Sequence, residues 1–150
     1  MNWFKKKIDK PQFEFNDCGK LKLHKGRNGC SWFGRVNLSI SHSLIELTIE
    51  VVNENEPSGE QIQLIKEFEN NWETLSDKLF EYMTESFRDS KWEKDKDDLK
   101  KMYYLSAIDL KKDTSEWWIV MEPDFNVVTI FNFLPRFTVR NSKIIWSNFK

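Results

Sequence analysis

The chain predicts an α+β fold, an antiparallel sheet or sheets with one long amphipathic helix packed on one face. Three observations carry this. Apolar and polar residues alternate through the first third of the chain, the period changes to steps of three and four after Pro57, and alternation returns from Tyr104 onward. Alternation puts successive side chains on opposite faces of a strand, whereas three-four spacing keeps them on one face of a helix. At 150 residues the chain fits one domain, residues 1–150, large enough to bury a core without metals or disulfides.

The elements follow in order. Phe13 and Phe15 alternate with polar neighbours, as do Leu21 and Leu23, and KGRNGC from Lys25 to Cys30 reads as a loop. Trp32, Val36, Leu38 and Ile40 share one parity and read as a strand, with Gly34 marking a bulge or a close backbone approach. After a hairpin through Ser41, His42 and Ser43, Ile45, Leu47, Ile49 and Val51 alternate cleanly with Glu46, Thr48 and Glu50, so one face is core and the other wet. Ser58 to Gln61 matches a capping box, with Glu60 at the positive end of the helix it opens. Ile62, Ile65, Phe68, Trp72, Leu75, Leu79, Met83 and Phe87 then form one stripe along that helix. From Arg88 to Lys101 charges of both signs dominate, which predicts a solvated connection. Four strands complete the chain: Tyr104 to Leu110, Trp117 to Met121, Val127 to Phe133, and Phe137 to Val139 running on to Ile144, Ile145 and Trp146. Pro123 and Asp124, and then Pro135, punctuate them.

The stretch EWWIVMEPDFN, Glu116 to Asn126, sets a problem of cover. In a strand Trp117, Ile119 and Met121 share one face and Trp118 and Val120 the other. The helix covers one face only. The other is covered by the N-terminal strands as a second layer, which gives Phe13, Phe15, Leu21, Leu23 and Trp32 a role, or by another chain.

A net charge of −1 argues against a dedicated nucleic-acid binder or a polybasic membrane module. The distribution is uneven: eleven carboxylates from Glu46 to Glu85 face only Lys66 and Lys78, while Lys5, Lys6 and Lys7 lead a basic N-terminal stretch. MNWFKKKIDK lacks the apolar run of a signal peptide and no run reaches membrane-span length, so a cytoplasmic location is the expectation. In that compartment Cys18 and Cys30 are expected as free thiols. With His24 and His42 the only histidines and no CxxC, a structural zinc site lacks ligands at useful spacing, and no cofactor is expected.

Reactive groups are sparse. There is no Gly-rich phosphate loop, GxSxG or HExxH. His24 and His42 have no acid or nucleophile at recognisable spacing and read as surface residues; Cys30 has no basic partner to activate it. Glu122 and Asp124 flank Pro123 at a strand end, where they read either as an acid and base pair or as an ordinary turn in which Asp124 bonds its own backbone. RFTVRNSKIIWSNFK interleaves bases with aromatics, as single-strand nucleic-acid platforms do, but alternates as an edge hairpin around Asn141 and Ser142. The most informative feature is on the helix. Glu73, Asp77, Glu81 and Glu85 recur every fourth residue, forming one row of carboxylates with only Lys78 and Arg88 near enough to offset them. Such a row either keeps the helix soluble or meets a basic partner.

Trp32-Phe33-Gly34 opening an alternating strand, then EPSGEQIQLIKEFENNWETLSDKLFEYM, then a strand region ending EWWIVMEPDFNVVTIF, resembles in element order uncharacterised bacterial families that include immunity proteins of contact-dependent and polymorphic toxin systems. The resemblance covers about Trp32 to Phe149 and transfers no functional residue. It implies a non-enzymatic binding protein of the immunity-inhibitor kind, and the acidic row of Glu73, Asp77, Glu81 and Glu85, read from its spacing, is the surface expected to hold a basic partner such as a toxin. Two other readings stand beside it: a small enzyme with a carboxylate site near Glu122 and Asp124, and a structural subunit that forms a homodimer through the face containing Trp118.

Overall fold

Ile45, Leu47, Ile49 and Val51 are buried and the residues between them half-buried, so the alternation of this segment makes a strand, β4 (Ile45–Val51), with one face in the core. The computed structural model describes residues 9–113, 115–126 and 133–149. Three strands precede β4, each antiparallel to the next: β1 (Gln12–Phe15), β2 (Gly19–Gly26) and β3 (Gly29–Val36). The expected loop from Lys25 to Cys30 is tighter than predicted, because Lys25 pairs with Cys30 and Gly26 with Gly29, leaving Arg27 and Asn28 as the turn. Gly29 adopts φ 137°, open to glycine but not to a side chain, which lets β3 begin at once. β3 ends at Val36 rather than Ile40. Beyond it the Asn37 amide donates to the Cys18 carbonyl, and Glu69 accepts from both the amide and the hydroxyl of Ser39 at 2.8 and 2.9 Å, so the chain turns away although Leu38 stays buried.

The helix α1 (Gly59–Phe87) starts as its capping box requires: the Ser58 hydroxyl accepts from the Gln61 amide and the Gln61 side chain accepts from the Ser58 amide. Ile65, Phe68, Leu75, Leu79, Met83 and Phe87 are buried from the predicted stripe, with Ile62 and Trp72 half-buried at its margin. Phe80 joins them from outside the stripe. Gln61 is only 6 % exposed, and its side-chain amide donates to the Glu50 carbonyl at 2.7 Å, pinning the start of α1 to the end of β4.

The connection after α1 is not the unstructured link expected from its charge. It contains a short helix, α2 (Lys96–Met102), capped by Asp95 and anchored by buried Leu99 and Met102. Two apolar side chains three residues apart suffice to dock one helical turn, even where charges surround them. β5 (Tyr103–Leu110), β6 (Glu116–Pro123), β7 (Arg136–Arg140) and β8 (Lys143–Ser147) follow. Most of the expected strand from Val127 to Phe133 lies outside the described residues; Phe133 itself is not in a strand.

Among the described residues the strands form one sheet of eight in chain order, antiparallel throughout except that β4 and β5 are parallel. The exception follows from the helices, which return the chain to the end of the sheet where β4 began. α1 lies against one face: Phe68 meets Trp117 at 4.6 Å between ring centroids, and Tyr82 meets Phe137 edge-on at 6.0 Å. This corrects the expected second layer. The N-terminal strands extend the same sheet, and Phe15, Leu21, Leu23 and Trp32 join the core under the helical side rather than covering the opposite face. On that opposite face Trp118 is 47 % exposed.

The β7 to β8 turn is the one read from the sequence, with Asn141 at φ 49° and Ser142 at φ 59°. Both central residues are left-handed, the backbone that favours glycine at the second position. Replacing Ser142 with glycine should therefore stabilise the protein by about 1 kcal/mol. A urea midpoint that stays put or falls would contradict the turn assignment.

Candidate functional site

A cleft with both apolar and polar walls lies at the end of the sheet where β5 starts and β6 finishes. Its helical wall is Trp72, Ser76 and Phe80, its floor includes buried Tyr103, Leu105 and Met121, and its rim carries His42, Lys100 and Asp124; the cleft is open to solvent and its volume is about 670 Å³. Each wall is positioned by a local feature. The hold of Glu69 on Ser39 fixes the loop that carries His42. Phe68 stacks on Trp72 at 5.5 Å. The Asp124 amide donates to the Met102 carbonyl at 2.6 Å, tying the exit of β6 to the end of α2. Burial pushes the Tyr103 phenol up to about 12, so it stays neutral at physiological pH.

The predicted carboxylate pair does not converge in this cleft. Asp124 lines it, and its Oδ1 accepts from the Asn126 amide at 2.9 Å, the hydrogen bond of a turn residue. Glu122 is not among the lining residues and accepts from the Tyr104 hydroxyl at 2.9 Å. His24 on β2 and Cys30 on β3 sit one register step apart but on opposite faces of the sheet, and Cys18 lies at the other end of β2; both thiols are free. Burial raises the Cys18 pKa, with Glu69 and Asp17 adding to the effect, which disfavours the thiolate.

The acidic row is where the structure departs most from expectation. Lys78 and Arg88 are not its main offsets. α2 places Lys96 and Lys100 against it: Asp77 receives Lys96 at 3.0 Å and Lys100 at 2.8 Å, and Lys96 also reaches Glu81 at 3.3 Å. Glu85 pairs with Arg88. Hydrogen bonds from Lys100 and then Lys96 hold the Asp77 carboxyl down at about 2, and Asp77 in turn raises the Lys96 pKa. Because the folded pKa of Asp77 lies below its unfolded value, its contribution to stability is present above the ordinary carboxylate range and lost as pH falls through about 2. Glu73 has no ion pair among the described residues. The missed signal was Asp95 as an N-cap with Leu99 and Met102 at helical spacing, which would have put Lys96 and Lys100 on one face four residues apart.

On the face opposite α1, register places Phe33, Thr48, Asp109, Trp118, Thr138 and Trp146 in one row across the sheet. Asp109 sits at its centre beside a shared cation. Lys111 reaches Glu50 at 2.6 Å and Asp109 at 3.8 Å, and lies 3.4 Å over the Trp118 ring. Asp109 Oδ1 is buried and has no hydrogen-bond partner among the described residues. Burial raises the Asp109 pKa, and the Thr48 hydroxyl and Lys111 pull it only partly back. Its folded pKa exceeds the unfolded one, so its contribution to stability is full below the unfolded value and is lost as pH rises through the folded value. Asp109→Asn, which cannot ionise, should outlast the wild type in urea at pH 7, with the gap closing as pH is lowered towards about 4. A gap that is constant across pH would show that Asp109 is not the titrating group.

Compared with protein-family models, curated proteins and solved structures, the chain matches none. Among the described residues no helix is long and apolar enough to cross a membrane, and no three His, Cys, Asp or Glu side chains gather as a metal site.

Proposed function

We propose that this chain is a non-enzymatic binding protein that holds a basic protein partner on its helical side, as an immunity-type inhibitor holds a toxin. The observation that carries the reading is the net negative charge of the helical layer. From Gly59 to Met102 there are twelve carboxylates and eight bases, whereas the other described residues are nearly balanced, with eleven bases and twelve carboxylates. Packing α1 against the sheet directs its polar positions outward, so that Glu60, Glu67, Glu73 and Glu81 are exposed on one side of the molecule. Since Lys96 and Lys100 already engage Asp77 and Glu81, the charge available to a partner rests more on Glu67 and Glu73. Net fields of this kind act mainly on the rate of encounter.

The test replaces Glu67 and Glu73 together with lysine, leaving the contacts between α1 and α2 intact. The variant should melt like the wild type but associate more slowly with the basic protein captured by the wild type from the source cells, and the wild-type on-rate should itself fall with added salt. Equal on-rates for the two proteins at low salt, or no basic protein retained by the wild type, would overturn the reading.

A further inference from the structure

The cleft and the acidic row are neighbours on α1. Trp72, Ser76 and Phe80 line the cleft at intervals of four, and Glu73, Asp77 and Glu81 each follow one of them by one residue, or about 100° around the helix. The carboxylate row is therefore the rim of the cleft's helical wall. Lys100 joins the two, lining the cleft while bonded to Asp77 at 2.8 Å. Across the opening stands Asp124. Lys100 is neutralised by Asp77; of the charged groups at the rim, Glu73 and Asp124 are in no ion pair among the described residues. What remains is a cleft of mixed lining, with the carboxylate of Asp124 on its rim and that of Glu73 next to its helical wall, just outside the lining.

We propose that the cleft receives a bulky apolar side chain of the partner, flanked in the partner's sequence by arginine or lysine that meets Glu73 and Asp124. This rests on the reading of the protein as a binder of basic partners and adds the anchor. A space of about 670 Å³ is within the range of small-ligand pockets and holds an aromatic side chain with room for its backbone. Inserted apolar anchors ringed by polar contacts carry most of the energy of protein interfaces, and charges around them select the partner. An anionic flank would face Glu73 and Asp124 without compensation.

The experiment uses the full chain labelled with nitrogen-15 and two probes, the tripeptides acetyl-Arg-Trp-Arg-amide and acetyl-Glu-Trp-Glu-amide. The basic peptide should shift the amide resonances of His42, Ser76 and Asn126, with the acidic peptide binding at least about fivefold more weakly. Ser76→Trp, which fills the helical wall, should abolish those shifts; Ser43→Trp fills the opposite lip and serves if the helix variant does not fold. Absence of shifts with the basic peptide, or equal binding of the acidic one, overturns the inference. A Ser76→Trp protein that keeps the basic partner, while the variant with lysine at 67 and 73 loses it, overturns the cleft anchor and leaves the charged surface standing. Loss of the partner by both variants supports the anchor.

Discussion

Leu79→Ala should lower the free energy of unfolding by about 2–5 kcal/mol. Leu79 is 0 % exposed, midway along the buried stripe of α1 and within the cluster that joins the helix to the sheet. Truncation removes apolar contacts and leaves a cavity, because a long helix fixed by a capping box at one end and aromatic contacts along its length has little freedom to collapse into the space. Leu75 is 8 % exposed and borders a groove, so Leu75→Ala should fall nearer the lower end of the range. Urea unfolding with an unchanged slope gives the comparison. A loss below about 1 kcal/mol at Leu79 would mean that the site relaxes or that the helix does not pack as described.

Gly34→Ala should be nearly as damaging, by about 1–3 kcal/mol, through excess volume rather than a cavity. A Cβ at Gly34 would overlap the Lys20 carbonyl oxygen and approach the Leu21 Cα to 3.2 Å. These are backbone atoms of a paired strand, so relief requires parting β2 from β3, and β3 is also held by β4. Gly29→Ala is a useful contrast, since a Cβ there meets nothing within 4 Å and the strain is only that of φ 137°. A thermal midpoint for Gly34→Ala equal to the wild type would show that the two strands do not approach as closely as described.

The carboxylates of α1 were legible as a row because period and charge are both written locally, at Glu73, Asp77, Glu81 and Glu85. Arg88 as a partner of Glu85 was legible too, but the partners of Asp77 and Glu81 were not. Lys96 and Lys100 act on Asp77 only because α2 folds back on α1, and nineteen and twenty-three residues of sequence separate them from it. The cleft was less legible still. Asp124 and His42 each stood out, but no spacing rule joins them to Trp72 or Lys100, since the cleft draws on four separate segments.

The sequence alone determined the elements whose cause is local. Ser58 and Gln61 started α1, the three-four stripe set its buried side, alternation from Ile45 to Val51 set the inner face of β4, and Asn141 with Ser142 closed the last hairpin. Tertiary structure decided which neighbours these elements took. Alternation says which side of a strand is apolar but not whether two strands share a sheet or face each other across a core, so Phe15, Leu21 and Trp32 suited a second layer as well as the single sheet they occupy. The parallel pairing of β4 with β5 and the order of α2 likewise depended on burial that appears only once α1 has brought distant residues together. For α2, burial of Leu99 and Met102 outweighed the surrounding charge that made this segment read as solvent-exposed chain.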